Sequence, residues 1–400
     1  MKEFTGIQPQ VREYLDFLAG GIMTPVIRGK WYHVDPTSGG DTRDGSSFDN
    51  AFANIKAAYD VAVDGDGIKL YSYGATSAAT TSYLTAPLAW SKNGITVLGV
   101  CAPVSLYQRA RVANKAVTTG AISVLAFTRG ADTVYDTISR TTGSFVTDGF
   151  VAGQYIRIVT TGTGANATGL IVRSVSALSM TLTTIGTLVT ETAVAAGAST
   201  VSTYMPQIIS LSGSNNRFFN TMFWNGGVDA LEIGGIDVTG HRNYFGNCHI
   251  VGGAGAAAAA TKYSLKLDAA QDCLIEGGTI GANTFDHGNN ADVEIILNGT
   301  VARDEFRKVR IQSYVSAGTA HGAVKSVTTS GGRGAVFQEC LFDALGSVTT
   351  PAAAFLSSGD VDYLAAPGSL LVNYAAWGAG VYVNGAASAA SAGGGICTKS

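Results

Sequence analysis

The chain has 400 residues, with 26 Lys and Arg against 29 Asp and Glu, so its net charge is −3 and it carries no basic field with which to grip a phosphate backbone. Charged residues make up 14% of it, against about 25% in ordinary globular domains. General nucleic-acid binding is therefore not expected, and no apolar run approaches the roughly 20 residues that a bilayer-crossing helix requires.

The remainder is rich in Gly, Ala, Ser, Thr and Val, a mixture that favours turns and small inward-facing side chains over long amphipathic helices. The start, Met1-Lys2-Glu3, lacks the charged, apolar and small-residue regions of a secretory signal. Residues 1–30 hold the best short amphipathic pattern, with Val11, Tyr14, Leu15 and Leu18 at helical spacing before Gly20-Gly21. Lying outside a β-rich body, this helix is expected to act either as an attachment element or as a cap over the open end of a repeat array.

Residues 31–131 open with a strand at Trp31 to Val34 and a turn-rich loop from Asp35 to Asp49. A helical face of Phe52, Ile55, Tyr59, Ala62 and Val63 follows, then a strand from Ile68 to Tyr71 and another from Thr96 to Val100. Residues 132–196 alternate apolar and polar residues over several short strands with glycines at the turns, which predicts a small antiparallel barrel or sandwich inserted into the body.

Residues 197–345 contain a repeat. Its copies end at Phe223, Ile250, Ile280, Ile311 and Phe342, at intervals of 27, 30, 31 and 31 residues. A near-constant period in this range marks a solenoid, whose units bury their apolar faces only by stacking. The end of each copy alternates with strand periodicity, as in Cys248 and Ile250 around His249. Equivalent positions should then stack about 4.8 Å apart, placing Phe245, Ile275, Phe306 and Phe337 in one internal ladder. These residues lie five places before the copy ends, at opposite parity, so the chain must bend between the two sets. Residues 346–400 are expected to form strands and an Ala-, Gly- and Ser-rich oligomerisation tail, losing the period from residue 369 onward, with Leu370, Leu371, Tyr374, Trp377 and Tyr382 buried between subunits.

The residues that could carry chemistry are scattered. Asp229, Glu232 and Asp237, Asp286, Asp292 and Glu294, and Asp304 with Glu305 lie close in sequence, yet no two share a coil position, as acid and base in glycan cleavage would. His33, His241, His249, His287 and His321 show no metal-binding spacing, and Asp41 with Asp44 lacks a full calcium ligand set. The five cysteines, Cys101, Cys248, Cys273, Cys340 and Cys397, form no CxxC pair and are expected to be buried free thiols. No glycine-rich segment opens a phosphate-binding helix. No catalytic, cofactor-binding or metal-binding residue is assigned.

Two stretches resemble known families. The "VDPTSGGDTRDG" loop, the "AFANIKAAYDVA" helix and the "GDGIKL" strand start are similar to the opening of pectate-lyase-like right-handed β-helix proteins. The pattern "SFVTDGFVAGQYIRIV", framed by Gly149, Phe150, Gly153 and Ile156, resembles a small β module of tailed-bacteriophage structural proteins. The expected fold is thus all-β: a right-handed parallel β-helix with an inserted antiparallel module and a short N-terminal helix. The resemblance implies a non-enzymatic virion structural protein, assembled in the host cytoplasm as a spike, fibre or decoration. It would be a homotrimer that meets capsid, neck or tail proteins and host surface glycan. Two rivals stay open: a β-helix depolymerase acting on bacterial surface polysaccharide, marked by two carboxylates on one coil face, and a non-catalytic glycan-binding adhesin, marked by exposed aromatics along a groove.

Overall fold

The computed structural model describes residues 27–40, 42–71, 83–101, 110–114, 116–120, 122, 124–159, 169–194, 199–225, 231–253, 262–282, 292–314, 322–327 and 334–345, with strand segments at 353–357, 364–365, 370–372, 379–383 and 386–388. The helix expected in residues 1–30 falls almost wholly outside these residues, as do Asp41, Asp229, Asp286, His287, His321 and Cys397. No helix among the described residues is long and apolar enough to cross a membrane.

The body is a parallel β-solenoid of about seven turns. Each full turn contributes one strand to each of three sheets. The first sheet takes, among others, Trp31–Val34, Gly67–Tyr71, Thr96–Val100, Arg217–Phe219, Tyr244–Gly246, Leu274–Glu276, Ala302–Arg307 and Gly334–Gln338. The second takes Arg111–Ala113, Met222–Trp224, His249–Val251, Thr279–Gly281, Arg310–Tyr314 and Leu341–Leu345. The third takes Leu88–Trp90, Ile209–Leu211, Gly234–Val238, Tyr263–Asp268, Val293–Asn298 and Gly322–Ser326.

The repeat register is the one read from the sequence. In the second sheet Phe223 pairs with Ile250, Ile250 with Ile280, Ile280 with Ile311 and Ile311 with Phe342. In the first, Phe245 aligns with Ile275, Ile275 with Phe306 and Phe306 with Phe337, and Phe218 extends the ladder. All are buried. The rings of Phe306 and Phe337 stack with centroids 4.4 Å apart, and those of Phe218 and Phe245 at 5.0 Å.

The parity change between these ladders is made by two-residue corners. Their first residues, Asn220, Asn247, Gly277, Lys308 and Glu339, all have φ between 49° and 64°. At such a corner the backbone turns sharply, so residues on both sides point inward. Asn247 Nδ2 donates to Asn220 Oδ1 at 2.8 Å, linking successive corners.

Between Arg111–Ala113 of the second sheet and Ile209–Leu211 of the third, the chain leaves the solenoid for a seven-stranded antiparallel sheet. Its strands run from Leu125–Thr128 to Thr200–Tyr204, on either side of the 132–196 window read from the sequence. Thr118 bridges Ser202, so the chain enters and leaves side by side. The module has its own core, which includes Phe127, Ile138, Phe145, Phe150, Ile156, Met180 and Val201. A single helical turn not foreseen from the sequence, Phe145–Asp148, is capped by Ser144 and ends at Gly149 in the left-handed region. There the framework of Gly149, Phe150 and Ile156 acquires its physical meaning, since the turn aims Phe145 edge-on at Phe150.

Two further expectations are corrected. Val63 lies beyond the helix Ile55–Val61 and is exposed, because the helix is stopped at Ala62 by extended backbone. The C-terminal stretch keeps the period as far as Val383: Leu370–Val372 pairs with Leu341–Asp343, and Ala379–Val383 runs parallel to Ala353–Ser357, before Ala386–Ser388 folds back antiparallel. The first-sheet strand of that turn is only Leu364–Ala365, too short to carry the aromatic signature that marks the earlier turns. Trp377 and Tyr374 lie outside the described residues.

Candidate functional site

The acidic residues weighed for catalysis that lie among the described residues serve other groups. Asp304 occupies a buried turn column that also holds Asn216, Asn243 and Cys273. Within it Ile95 N donates to Asn216 Oδ1 at 2.9 Å, Asn216 N to Asn243 Oδ1 at 2.9 Å and Cys273 N to Asp304 Oδ1 at 2.8 Å. Burial pushes the Asp304 carboxyl up to about 7 against the Cys273 hydrogen bond. Asp292 accepts from Lys262 N at 2.8 Å, Glu294 from Ser264 Oγ at 2.7 Å, and Glu232 from Asn114 Nδ2 at 3.3 Å, all of them buried. Glu305 pairs with Arg307.

On the outer face of the third sheet, Lys266 lies between Asp237 at 3.4 Å and Asp268 at 2.6 Å. Burial raises the Asp237 carboxyl, opposed by Lys266. Burial also acts to raise that of Asp268, but its bonds to Lys266 and Asn298 outweigh this and hold it low. The ammonium occupies the gap between the two carboxyl groups, where a glycosidic oxygen would have to sit. Neither Lys266 nor Asp268 was singled out in the sequence, because their partnership with Asp237 exists only across the coil repeat.

Buried thiols are structural as well. Cys248 Sγ donates to Phe218 O and Cys340 Sγ to Phe306 O, each at 3.3 Å. Burial pushes Cys248 and Cys273 up to about 12 and Cys340 up to about 11. Cys101 is only half-buried.

The outer face of the first sheet differs from these. Trp31, Gly67, Thr96, Arg217, Tyr244, Leu274 and Glu305 align in one row of neighbours, and His33, Lys69, Leu98, Phe219, Gly246, Glu276 and Arg307 in a second. The row between them is the buried ladder, so both rows point outward by strand alternation. Two aromatic rings lie flat across glycines of this face. A Cβ on Gly67 would come within 2.4 Å of the Trp31 ring, and one on Gly246 within 2.7 Å of Tyr244. Lys69 Nζ sits 5.1 Å from the Trp31 ring centroid. Tyr244 donates to Glu276 at 3.0 Å and its ring is 5.2 Å from Phe219. Burial first, then that bond to Glu276, push the Tyr244 phenol up to about 12.

Between these aromatic groups, at the sheet edge, lies a cleft of about 450 Å³ lined by Arg28, Asp64, Asn93, Thr96, Asn215 and Arg217. Its origin is legible in the turns that stack beside the sheet. Gly65, Gly94, Asn215, Arg242, Asp272 and Arg303 all have φ between 56° and 88° and form a column, the backbone N–H of each of the first five bonding to a carbonyl in the next turn. From Arg242 onward the column is filled by ion pairs, Arg303 to Asp272 at 2.5 Å and Arg242 to Asp272 at 3.8 Å. At Gly65 and Gly94 it has no side chains, and the cleft is that gap. Asp64 is committed to Asn93, accepting from its N at 2.9 Å and Nδ2 at 3.1 Å, and the backbone bond foremost holds its carboxyl low. Arg28 and Arg217 are exposed, and neither has an ion-pair partner among the described residues.

No protein-family model matches the chain, and the search of curated proteins found no match. Among solved structures it is similar to a pectin methylesterase from Aspergillus niger, with TM-score 0.40 and 10% identity over 92% of this chain and 93% of that one. It is also similar to the tailspike protein gp49 from Pseudomonas phage LKA1, with TM-score 0.21 and 11% identity over 84% and 72% of the two chains. The pectate lyase Pel9A gives TM-score 0.31 and 13% identity over 84% and 79%.

Proposed function

We propose that the protein is a non-enzymatic structural subunit of a tailed-bacteriophage particle, a spike, fibre or decoration that serves host attachment or particle architecture. The observation that carries this reading is the use made of the carboxylates. Asp292, Glu294 and Asp304 are buried acceptors that hold one coil to the next, which suits a rigid scaffold. The particle itself is supported by the sequence resemblance around Gly149, Phe150, Gly153 and Ile156. Homotrimeric assembly, capsid, neck or tail partners and a place on the virion belong to the same reading.

Immunogold labelling of purified particles with antibody to this chain tests it. Gold at a fixed position on the particle is expected; particles free of label, beside soluble protein that reacts, would overturn it. The depolymerase reading draws on one specific observation, the raised carboxyl of Asp237 beside Asp268 on an outer sheet face. Release of reducing ends or unsaturated sugars from host envelope polysaccharide, abolished by Asp237→Asn, would replace the non-enzymatic reading with that one.

A further inference from the structure

We propose that the cleft between Arg28 and Arg217 binds an acidic saccharide, taking a sugar carboxylate on its guanidinium groups while a neighbouring ring stacks on the aromatic face beside it. The glycan is taken from the attachment role above, and the two fail separately, since particle labelling decides the role and the measurements below decide the site.

The charge balance of the cleft is the first argument. Among the described residues its two guanidinium groups stand against one carboxylate, Asp64, whose oxygens are held by Asn93. An exposed guanidinium is a bidentate donor suited to a planar carboxylate. Further along the same turn column the cations are neutralised internally, with Asp272 between Arg242 and Arg303. No second carboxylate among the described residues takes that role in the cleft, which leaves it to an anion from outside.

The second argument is what flanks the cleft. Arg217 and Tyr244 are register neighbours on adjacent strands, hence about 4.8 Å apart along the solenoid. Phe219 lies on Arg217's own strand and outer row side, 5.2 Å from the Tyr244 ring. Tyr244 lies flat because Gly246 leaves room beneath it, and its hydroxyl is fixed by Glu276. A half-buried ring held in this way presents a face to the C–H side of a pyranose, and a carboxylate on that sugar or the next then falls within reach of Arg217. Inorganic phosphate would satisfy the guanidinium groups but not the rings, so the two ligand types are separable.

The test uses the full chain and calorimetric titration with three probes: a hexasaccharide of alternating glucuronate and N-acetylglucosamine, a neutral N-acetylglucosamine hexamer, and inorganic phosphate. The acidic hexasaccharide should bind, more weakly as salt rises, and the neutral hexamer should not. Arg217→Gln should weaken binding by about tenfold, with an unchanged melting temperature because Arg217 is exposed. Gly94→Asn should weaken it as well, by placing a side chain in the gap as Asn215 does, without altering either arginine. Equal binding of the neutral and acidic hexamers, no effect of Arg217→Gln, or full displacement of the hexasaccharide by equimolar phosphate would each overturn the proposal.

Discussion

Phe306 stacks on Phe337 inside a ladder with no exposed member, so a truncation there leaves a hole that its coil neighbours cannot close. Phe306→Ala should lower unfolding free energy by about 3–5 kcal/mol in denaturant titration. Asp304 makes a pH-dependent contribution. Its folded-state value, about 7, lies above the ordinary 3.8, so between these limits the folded chain holds a proton that the unfolded chain has lost. Its presence therefore makes stability fall as pH rises from about 4 to about 7, and the loss is complete above that window. Asp304→Asn keeps an acceptor for Cys273 N, as Asn216 and Asn243 do in the same column. The variant should be more stable than the parent at neutral pH by on the order of 1–4 kcal/mol, with the difference vanishing near pH 4 in parallel melts. The thiols give a simpler expectation: under native conditions iodoacetamide should modify Cys101 well before Cys248, Cys273 or Cys340, which burial keeps protonated.

At the scale of elements, the two-residue corners and the inserted module make contrasting predictions. Lys308 and Glu339 adopt the left-handed conformation that Asn220, Asn247 and Gly277 take at equivalent corners. Lys308→Gly should raise stability by about 0.5–1 kcal/mol, read as a shifted denaturation midpoint. In the module, the buried Asp136 accepts from the backbone N–H groups of Gly130, Gly186, Thr187 and Leu188 at 2.7–3.3 Å. Burial acts to raise its carboxyl, but the hydrogen bonds from Gly130, Thr187, Thr184 and Leu188 together outweigh it and hold it low. Asp136→Ala leaves four donors without that acceptor and should cost on the order of 3 kcal/mol. Because the module core is separate from the solenoid core, calorimetry should show the loss in one transition only. The corners and ladders were legible because each turn spends an aromatic or branched residue at a fixed interval. The module edges were less so: Leu125–Thr128 and Thr200–Tyr204 are strands as short as those of a coil, and only pairing assigns them to the antiparallel sheet. The cleft was invisible for a related reason, since it is made by two glycines in a stacked column, and the stacking of loops of unequal length cannot be counted off the chain. Lys266 between two aspartates was hidden in the same way.

For the whole molecule, each turn covers the edge of the one before it, and Ala386–Ser388 folds back antiparallel on Ala379–Val383. Truncation before Leu364 would strip the pairing strands from Gly334–Gln338 and Leu341–Leu345 and bare their backbone edges together. Light scattering should then show aggregation at concentrations where the full chain stays dispersed. Sedimentation of the full chain tests the proposed trimer, and a monodisperse monomer would reject it. The strand direction also fixes how far the described solenoid extends. Strands lie across the solenoid axis, so each turn advances it by only about 4.8 Å, and seven turns reach about 34 Å, although 27–31 residues are used per turn in the repeat region. The described body is therefore a stout plug rather than a cable. Length on the scale of a long fibre would have to come from joining such bodies end to end, and the stiffness of any such rod would be decided at the joints, where the coil-to-coil hydrogen bonds stop.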